Sequence, residues 1–156
     1  MATRRELQQL ACLRLDEAEA LFAASCYDGC AYLCGYVVEL ALKAAICSTL
    51  RVAEYPEKGS RLKESFKTHD FDDLKLLAGM EEAFTANSTL LANWSVASRW
   101  KPERRYWRFQ AGDALQFCAR CSLKLESHRI FRLDRSDGDT GSDKDHRSGV
   151  APKPWP

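Results

Sequence analysis

The stretch that decides the fold is CAYLCGYVVELALKAAIC, residues Cys30–Cys47. It is almost wholly apolar, yet it contains Glu39 and Lys43. Tyr32, Tyr36, Glu39 and Lys43 recur at helical spacing, which places them on one stripe of an α-helix. The remaining faces of this helix are apolar, and a helix that is apolar on nearly every side normally lies at the centre of its domain.

The polar stripe has two interpretations. In the structural one, Glu39 and Lys43 pair within the helix, which contributes only about 0.2–0.5 kcal/mol on an exposed surface, and the two tyrosines lie at the edge of the core. In the functional one, the stripe lines a cleft and meets a ligand or a partner. Both require that the carboxylate be paired or hydrated, because an unpaired buried charge is strongly destabilising.

Helix signals continue along the rest of the chain. They comprise a capping box at Thr3 and Glu6, caps at Asp28, Asp70 and Asp113, a stop at Gly79, an amphipathic segment at 80–93 and a first-turn proline at Pro102. We therefore predict an all-α, up-and-down bundle of four to five helices over residues 1–133. Residues 134–156, rich in Asp, Ser, Gly and Pro, predict a disordered tail.

Composition limits the partners. The 156 residues carry a net charge of +1, so any nucleic-acid contact requires a local basic patch. The N-terminal MATRRELQQL lacks the apolar run of a signal peptide, and the ion pair in the most apolar segment argues against a membrane span. We expect no membrane partner. With seven cysteines, an odd number, we expect reduced thiols and a cytoplasmic location.

No cofactor or metal is expected. Cys26, Cys30 and Cys34, with Cys118 and Cys121, could supply thiolates to zinc, but the outer two of the first set lie about 12 Å apart along a helix. Cysteine is also a common core residue. The sequence contains no glycine-rich phosphate loop and no paired-carboxylate motif.

A basic and aromatic segment, RWKPERRYWRF, spans residues 99–109. Interleaved basic and aromatic groups can hold phosphates and stack bases. The candidate binding residues are Arg99, Arg104, Arg105 and Tyr106, with Glu39 and Lys43 shaping the adjoining cleft. The alternative is an amphipathic helix whose arginines face water while its aromatic rings dock on the rest of the domain.

Three motifs resemble one known family. AYLCGYVVELALKAAIC resembles the signature helix of HEPN domains, the higher eukaryotes and prokaryotes nucleotide-binding family, in its bacterial subgroup. THDFDDLKLLAG, residues 68–79, resembles the H-d-L-x-x-L segment that follows, and WKPERRY, residues 100–106, resembles a W-x-x-E-x-R-Y element. The resemblance covers residues 10–125 and implies a helical bundle that is often dimeric.

The resemblance also implies a function. Such domains often pair with a nucleotidyltransferase-like protein in toxin–antitoxin or defence systems, and many are metal-independent ribonucleases with an Arg-x(4–6)-His motif. Here His69 and His128 each follow an arginine with seven residues between, which departs from that motif. We therefore expect a binding or assembly module, as a homodimer or a hetero-complex, that contacts nucleotide or RNA.

The alternative is a divergent, dimeric endoribonuclease in which His69 or His128 is catalytic. His69 itself has two interpretations: it belongs to the cap of the helix that follows it, or it lies in the cleft beside Glu39.

Overall fold

A computed structural model describes residues 2–56 and 63–106, together with Arg108, Gly112, Gln116 and Phe117. The helices are α1 (Arg4–Ala23), α2 (Tyr27–Leu50), α3 (Lys63–Phe66), α4 (Phe71–Leu77), α5 (Glu81–Thr85), α6 (Ser88–Ala97) and a 3₁₀ helix (Pro102–Tyr106). In these ranges there is no strand, only an isolated bridge between Thr3 and Glu54. The all-α class is thus confirmed there, and the up-and-down bundle of four to five helices stays a prediction. Asp113, His128 and the predicted tail lie outside the described residues.

Helix α1 begins where the sequence predicts. The Thr3 hydroxyl accepts the Glu6 backbone N–H, and the Glu6 carboxylate accepts the Thr3 N–H at 2.7 Å. The predicted cap at Asp28 is wrong, because α2 begins at Tyr27 and Asp28 lies inside its first turn. The backbone turn between the two helices ends α1, with the Cys26 N–H donating to the Leu21 carbonyl at 2.8 Å. Cys26 then occupies the N-cap position of α2 without a side-chain cap bond, and its carbonyl accepts the Cys30 N–H at 3.0 Å.

Helices α1 and α2 form an antiparallel hairpin that carries most of the core. The residues that follow α2 return to the start of α1, where the Tyr55 N–H donates to the Ala2 carbonyl at 2.9 Å and the Arg4 N–H to the Ala53 carbonyl at 3.0 Å. By length and composition α2 could cross a membrane, but 72% of its most apolar window is buried inside the protein. Burial of this kind is what the central helix of a folded domain shows.

Of the short helices, α4 packs against α2. Asp70 caps α4 by accepting the backbone N–H groups of Asp72 and Asp73, and Gly79 ends the turn after α4 with a φ of 66°, so both predictions are confirmed. The Thr49 hydroxyl of α2 donates to the Ala78 carbonyl at 2.8 Å, which ties the end of α4 to the central helix.

The predicted amphipathic segment at 80–93 divides into α5 and α6. The division has a local cause: the side chain of Asn87 accepts the Leu90 N–H at 3.0 Å and starts a new helix. Pro102 does open a helix, but that helix is a 3₁₀ helix of five residues.

The described cysteines differ in burial and in bonding. Cys26, Cys34 and Cys47 are free thiols, with Cys34 and Cys47 buried. Cys30 is disulfide-bonded, so the expectation of seven reduced thiols is wrong there, and the cysteines no longer support a cytoplasmic location.

Candidate functional site

The polar stripe of α2 lies inside the protein. Glu39 and Lys43 are 4% and 8% exposed, and the Lys43 Nζ lies 2.9 Å from the Glu39 Oε1. The expected intrahelical pair is therefore present, but it is buried. Deleting one partner of such a pair is costly, because the other charge is left without compensation away from water.

His69 contacts the same carboxylate. Its Nδ1 lies 2.9 Å from the Glu39 Oε1, and its side chain is 54% exposed. An ionised carboxylate only accepts hydrogen bonds, so a neutral imidazole that bonds to it through Nδ1 has its proton on Nδ1 and its lone pair on Nε2. Of the two interpretations of His69, the structure thus places the ring beside Glu39. Capping of α4 is performed by Asp70, whose own N–H donates to the Thr68 hydroxyl at 3.0 Å.

The segment between α2 and α4 completes the cover of the charged pair. The Lys43 Nζ lies 5.2 Å from the centroid of the Tyr55 ring, and the Tyr55 hydroxyl donates to the Phe66 carbonyl at 2.8 Å. The second carboxylate oxygen of Glu39, Oε2, is buried and accepts no hydrogen bond from the residues that the structure describes. The carboxylate is thus held through one oxygen, which both Lys43 and His69 share.

Trp100 covers the aromatic half of the stripe. A Cβ atom on Gly35 would lie 2.0 Å from the Trp100 Cε2, so the indole packs directly on the helix backbone where the glycine has no side chain. Trp100 also contacts Tyr36 edge-on at a centroid distance of 5.3 Å and stacks on Phe71 at 5.3 Å and 16°. With 2% exposure, Trp100 anchors the chain around it to α2.

The residues around that anchor are basic and exposed. Arg99, Lys101 and Arg108 are exposed, and Tyr106 is 73% exposed. Arg104 and Arg105 lie in the 3₁₀ helix, and their side chains are outside the described part of the structure. One ring of this segment, that of Trp100, docks on the domain, while the ring of Tyr106 and several basic groups are exposed. The binding of phosphates and bases by this segment stays a prediction.

Trp100 and His69 contact α2 on neighbouring turns. Trp100 packs at Gly35 and His69 bonds to Glu39, and these positions are four residues apart on α2, about 6 Å along its axis. A second link joins them, because Phe71, which stacks on Trp100, is two residues from His69. His128, the other candidate catalytic residue, lies outside the described residues.

Sequence reasoning missed the residues that cover the stripe. Trp100, Phe71 and Tyr55 were not assigned to it, although Gly35 on an apolar helix is a signal that a neighbour approaches closely. Within the described ranges no group of three or more possible metal ligands was found.

Comparison with protein-family models, with curated proteins and with solved structures found no match for this chain. The resemblance to HEPN domains therefore rests on the quoted motifs alone.

Proposed function

We propose that the chain is a HEPN-type helical module for binding and assembly, which contacts RNA or nucleotide through residues 99–106. The observation that carries the proposal is the docking of Trp100 on Gly35. A buried tryptophan fixes the backbone on both sides of it, so that exposed Arg99 and Lys101 have a defined position.

The chemistry of this surface fits a ribose phosphate ligand. Basic groups neutralise phosphates, and an exposed ring such as that of Tyr106 offers a face on which a base can stack. Stacking of one base is worth about 1–3 kcal/mol. Because the net charge is only +1, binding would depend on this local cluster and not on the field of the whole protein.

Assembly is the second part of the proposal. The module forms a homodimer or a hetero-complex with a nucleotidyltransferase-like protein. It acts in the cytoplasm as part of a bacterial toxin–antitoxin or defence system. Its helices form an up-and-down bundle of four to five helices. Two large apolar residues on α1, Leu10 and Leu13, are 39% and 48% exposed and three residues apart, which supports a contact surface on that helix.

An RNA-binding titration tests the proposal. A labelled single-stranded RNA is titrated with the wild type and with Arg99→Glu/Lys101→Glu, and the matched control is Arg4→Glu/Arg5→Glu, an equal charge change on exposed residues of α1. We expect the first variant to bind at least about tenfold more weakly. Its salt dependence should also fall by about 1.4 in log–log slope, for two lost phosphate contacts. Equal losses in both variants would contradict a local site.

A divergent, dimeric endoribonuclease is the second candidate function. The observation that favours it is the contact between buried Glu39 and half-exposed His69, an arrangement that suits proton transfer. The protein is incubated with labelled tRNA and mRNA in EDTA. Cleavage that disappears in His69→Ala or in His128→Ala would establish the enzyme, and intact RNA after long incubation would exclude it for these substrates.

A further inference from the structure

Two neighbouring cysteines of α2 are in different chemical states. Cys30 is disulfide-bonded, whereas Cys34, one helical turn later, is a free thiol, and both are fully buried. Their Sγ atoms lie 4.0 Å apart. We propose that the two form a thiol–disulfide exchange site, in which the cysteine bonded to Cys30 transfers its bond to Cys34. This chemistry goes beyond the proposed function and does not depend on RNA binding.

Cys12 of α1 does not reach Cys30. The hairpin places Leu21 beside Gly29, because a Cβ atom on Gly29 would lie 3.1 Å from the Leu21 Cδ1. Cys12 lies nine residues before Leu21, about 14 Å along the axis of α1, whereas Cys30 directly follows Gly29. The Cα atoms of a disulfide lie within about 7 Å of each other, so a bond between Cys12 and Cys30 is excluded.

The cysteine bonded to Cys30 therefore comes from the C-terminal part of the chain. The other described cysteines on or beside α2 are free thiols, namely Cys26, Cys34 and Cys47. The sequence has two more, Cys118 and Cys121, outside the described residues. Phe117, which directly precedes Cys118, is 4% exposed and belongs to the same hydrophobic core as Cys30. We infer that one of these two cysteines holds the bond.

Helix geometry decides which sulfur Cys34 attacks. Attack on the Cys30 sulfur would join residues one turn apart, whose Cβ atoms are about 5–6 Å apart in a helix, whereas a disulfide needs about 3.5–4.5 Å. Attack on the sulfur of the C-terminal cysteine leaves α2 intact. The Cys34 thiolate forms the new S–S bond, the old bond breaks, and its electron pair stays on the Cys30 sulfur, which takes the proton that Cys34 lost. The exchange is redox-neutral and needs no further reactant.

Burial makes Cys34 the thiol with access to this bond. Thiols in solution reach a sulfur of the core only when the protein opens, whereas Cys34 already lies inside it. The exchange moves the attachment point by one turn, about 6 Å along α2. Cys34 directly precedes Gly35, on which Trp100 packs, so the second attachment point lies next to the anchor of the basic segment.

Disulfide mapping of the full chain tests the exchange. Protein purified without reductant is held at mildly alkaline pH, quenched in acid, unfolded and blocked with N-ethylmaleimide. Chymotrypsin then cuts after Tyr32 and separates Cys30 from Cys34. We expect the C-terminal cysteine in two linked peptides, one with Cys30 and one with Cys34. A wild-type map with the Cys30 linkage alone, with a bond between Cys30 and Cys34, or with no linkage to either overturns the inference.

Cysteine variants show where the exchange occurs. Cys34→Ser should lose the Cys34-linked peptide and keep the Cys30-linked one, and Cys30→Ser should do the reverse. The matched control is Cys47→Ser, which removes another buried thiol of α2, about 25 Å along the axis from Cys30, and should leave both linked peptides in the wild-type ratio. Wild-type linkage to Cys47 as abundant as linkage to Cys34 would mean exchange through unfolded protein and also overturn the inference. The wild-type map decides even where a variant does not fold.

Discussion

Gly35→Ala is the substitution that tests the anchoring of the basic segment most severely. The added Cβ would lie 2.0–2.2 Å from the Cε2, Nε1 and Cδ2 atoms of the Trp100 indole, well inside van der Waals contact. The contact involves the rigid ring system, so the indole must leave its position. Losing the packing of a buried tryptophan costs about 3–5 kcal/mol, and alanine regains about 1 kcal/mol of helix propensity over glycine.

The net expectation is a loss of about 2–4 kcal/mol in the free energy of unfolding. For a chain of this length that corresponds to a fall of about 5–15 °C in the melting temperature. Urea unfolding followed by circular dichroism measures the free energy, and tryptophan fluorescence of the folded variant should shift to longer wavelength as the indole becomes hydrated. RNA affinity should fall in parallel, because Arg99 and Lys101 lose their fixed position.

Gly29→Ala is the matched control, since it makes the same change on the same helix. There the new Cβ would lie 3.1 Å from the Leu21 Cδ1, the end of a flexible side chain that can move aside. We expect its free energy of unfolding to stay within about 1 kcal/mol of the wild type. A Gly35→Ala protein as stable as the wild type, with unchanged fluorescence, would refute the packing of Trp100 on α2.

Three further expectations concern charged groups and thiols. Glu39→Gln should lower the free energy of unfolding, measured in urea, by about 3–5 kcal/mol, because it leaves the buried Lys43 charge without a partner carboxylate. Adding Lys43→Met should recover most of that loss. Purely additive effects of the two substitutions would contradict the buried pair. The hydrogen bonds from the Thr3 backbone and side chain hold the pKa of Glu6 below its usual value. Their stabilisation is therefore present above the unfolded-state pKa and is lost as the pH falls through the folded-state pKa. Thr3→Ala removes only the side-chain bond and should flatten the acid limb of the stability–pH curve in part, because the backbone bond remains. Burial raises the pKa of the Cys47 thiol, so iodoacetamide should label Cys47 far more slowly in the folded protein than in urea, and equal rates would place it at the surface.

Local signals predicted much of the backbone. The capping box at Thr3, the cap at Asp70 and the stop at Gly79 each depend on residues within a few positions, and the structure has all three. The cap at Asp28 failed because α2 begins one residue earlier, at Tyr27, with Cys26 in the N-cap position and no side-chain cap bond. The 80–93 segment failed because one asparagine side chain was enough to restart the helix.

The candidate site was less accessible from the sequence. Helical spacing placed Glu39 and Lys43 on one stripe, and burial of the rest of α2 followed from composition. What covers the stripe is tertiary: His69 lies thirty positions from Glu39 along the chain, and Trp100 lies much farther from Gly35. Helical periodicity does not predict contacts between residues so far apart in the sequence. Only Gly35, a glycine within an apolar helix, indicated that a large side chain packs against α2.

The proposed binding surface depends on the contact of Trp100 with Gly35, and proton–proton distances measure that contact directly. Nuclear Overhauser spectra of the folded protein should show strong cross-peaks between the Trp100 indole protons and the two Gly35 α-protons, with those α-protons shifted upfield by the ring. Absence of these cross-peaks, with Gly35 α-protons at ordinary helical shifts, would detach the basic segment from α2 and contradict the proposed binding surface.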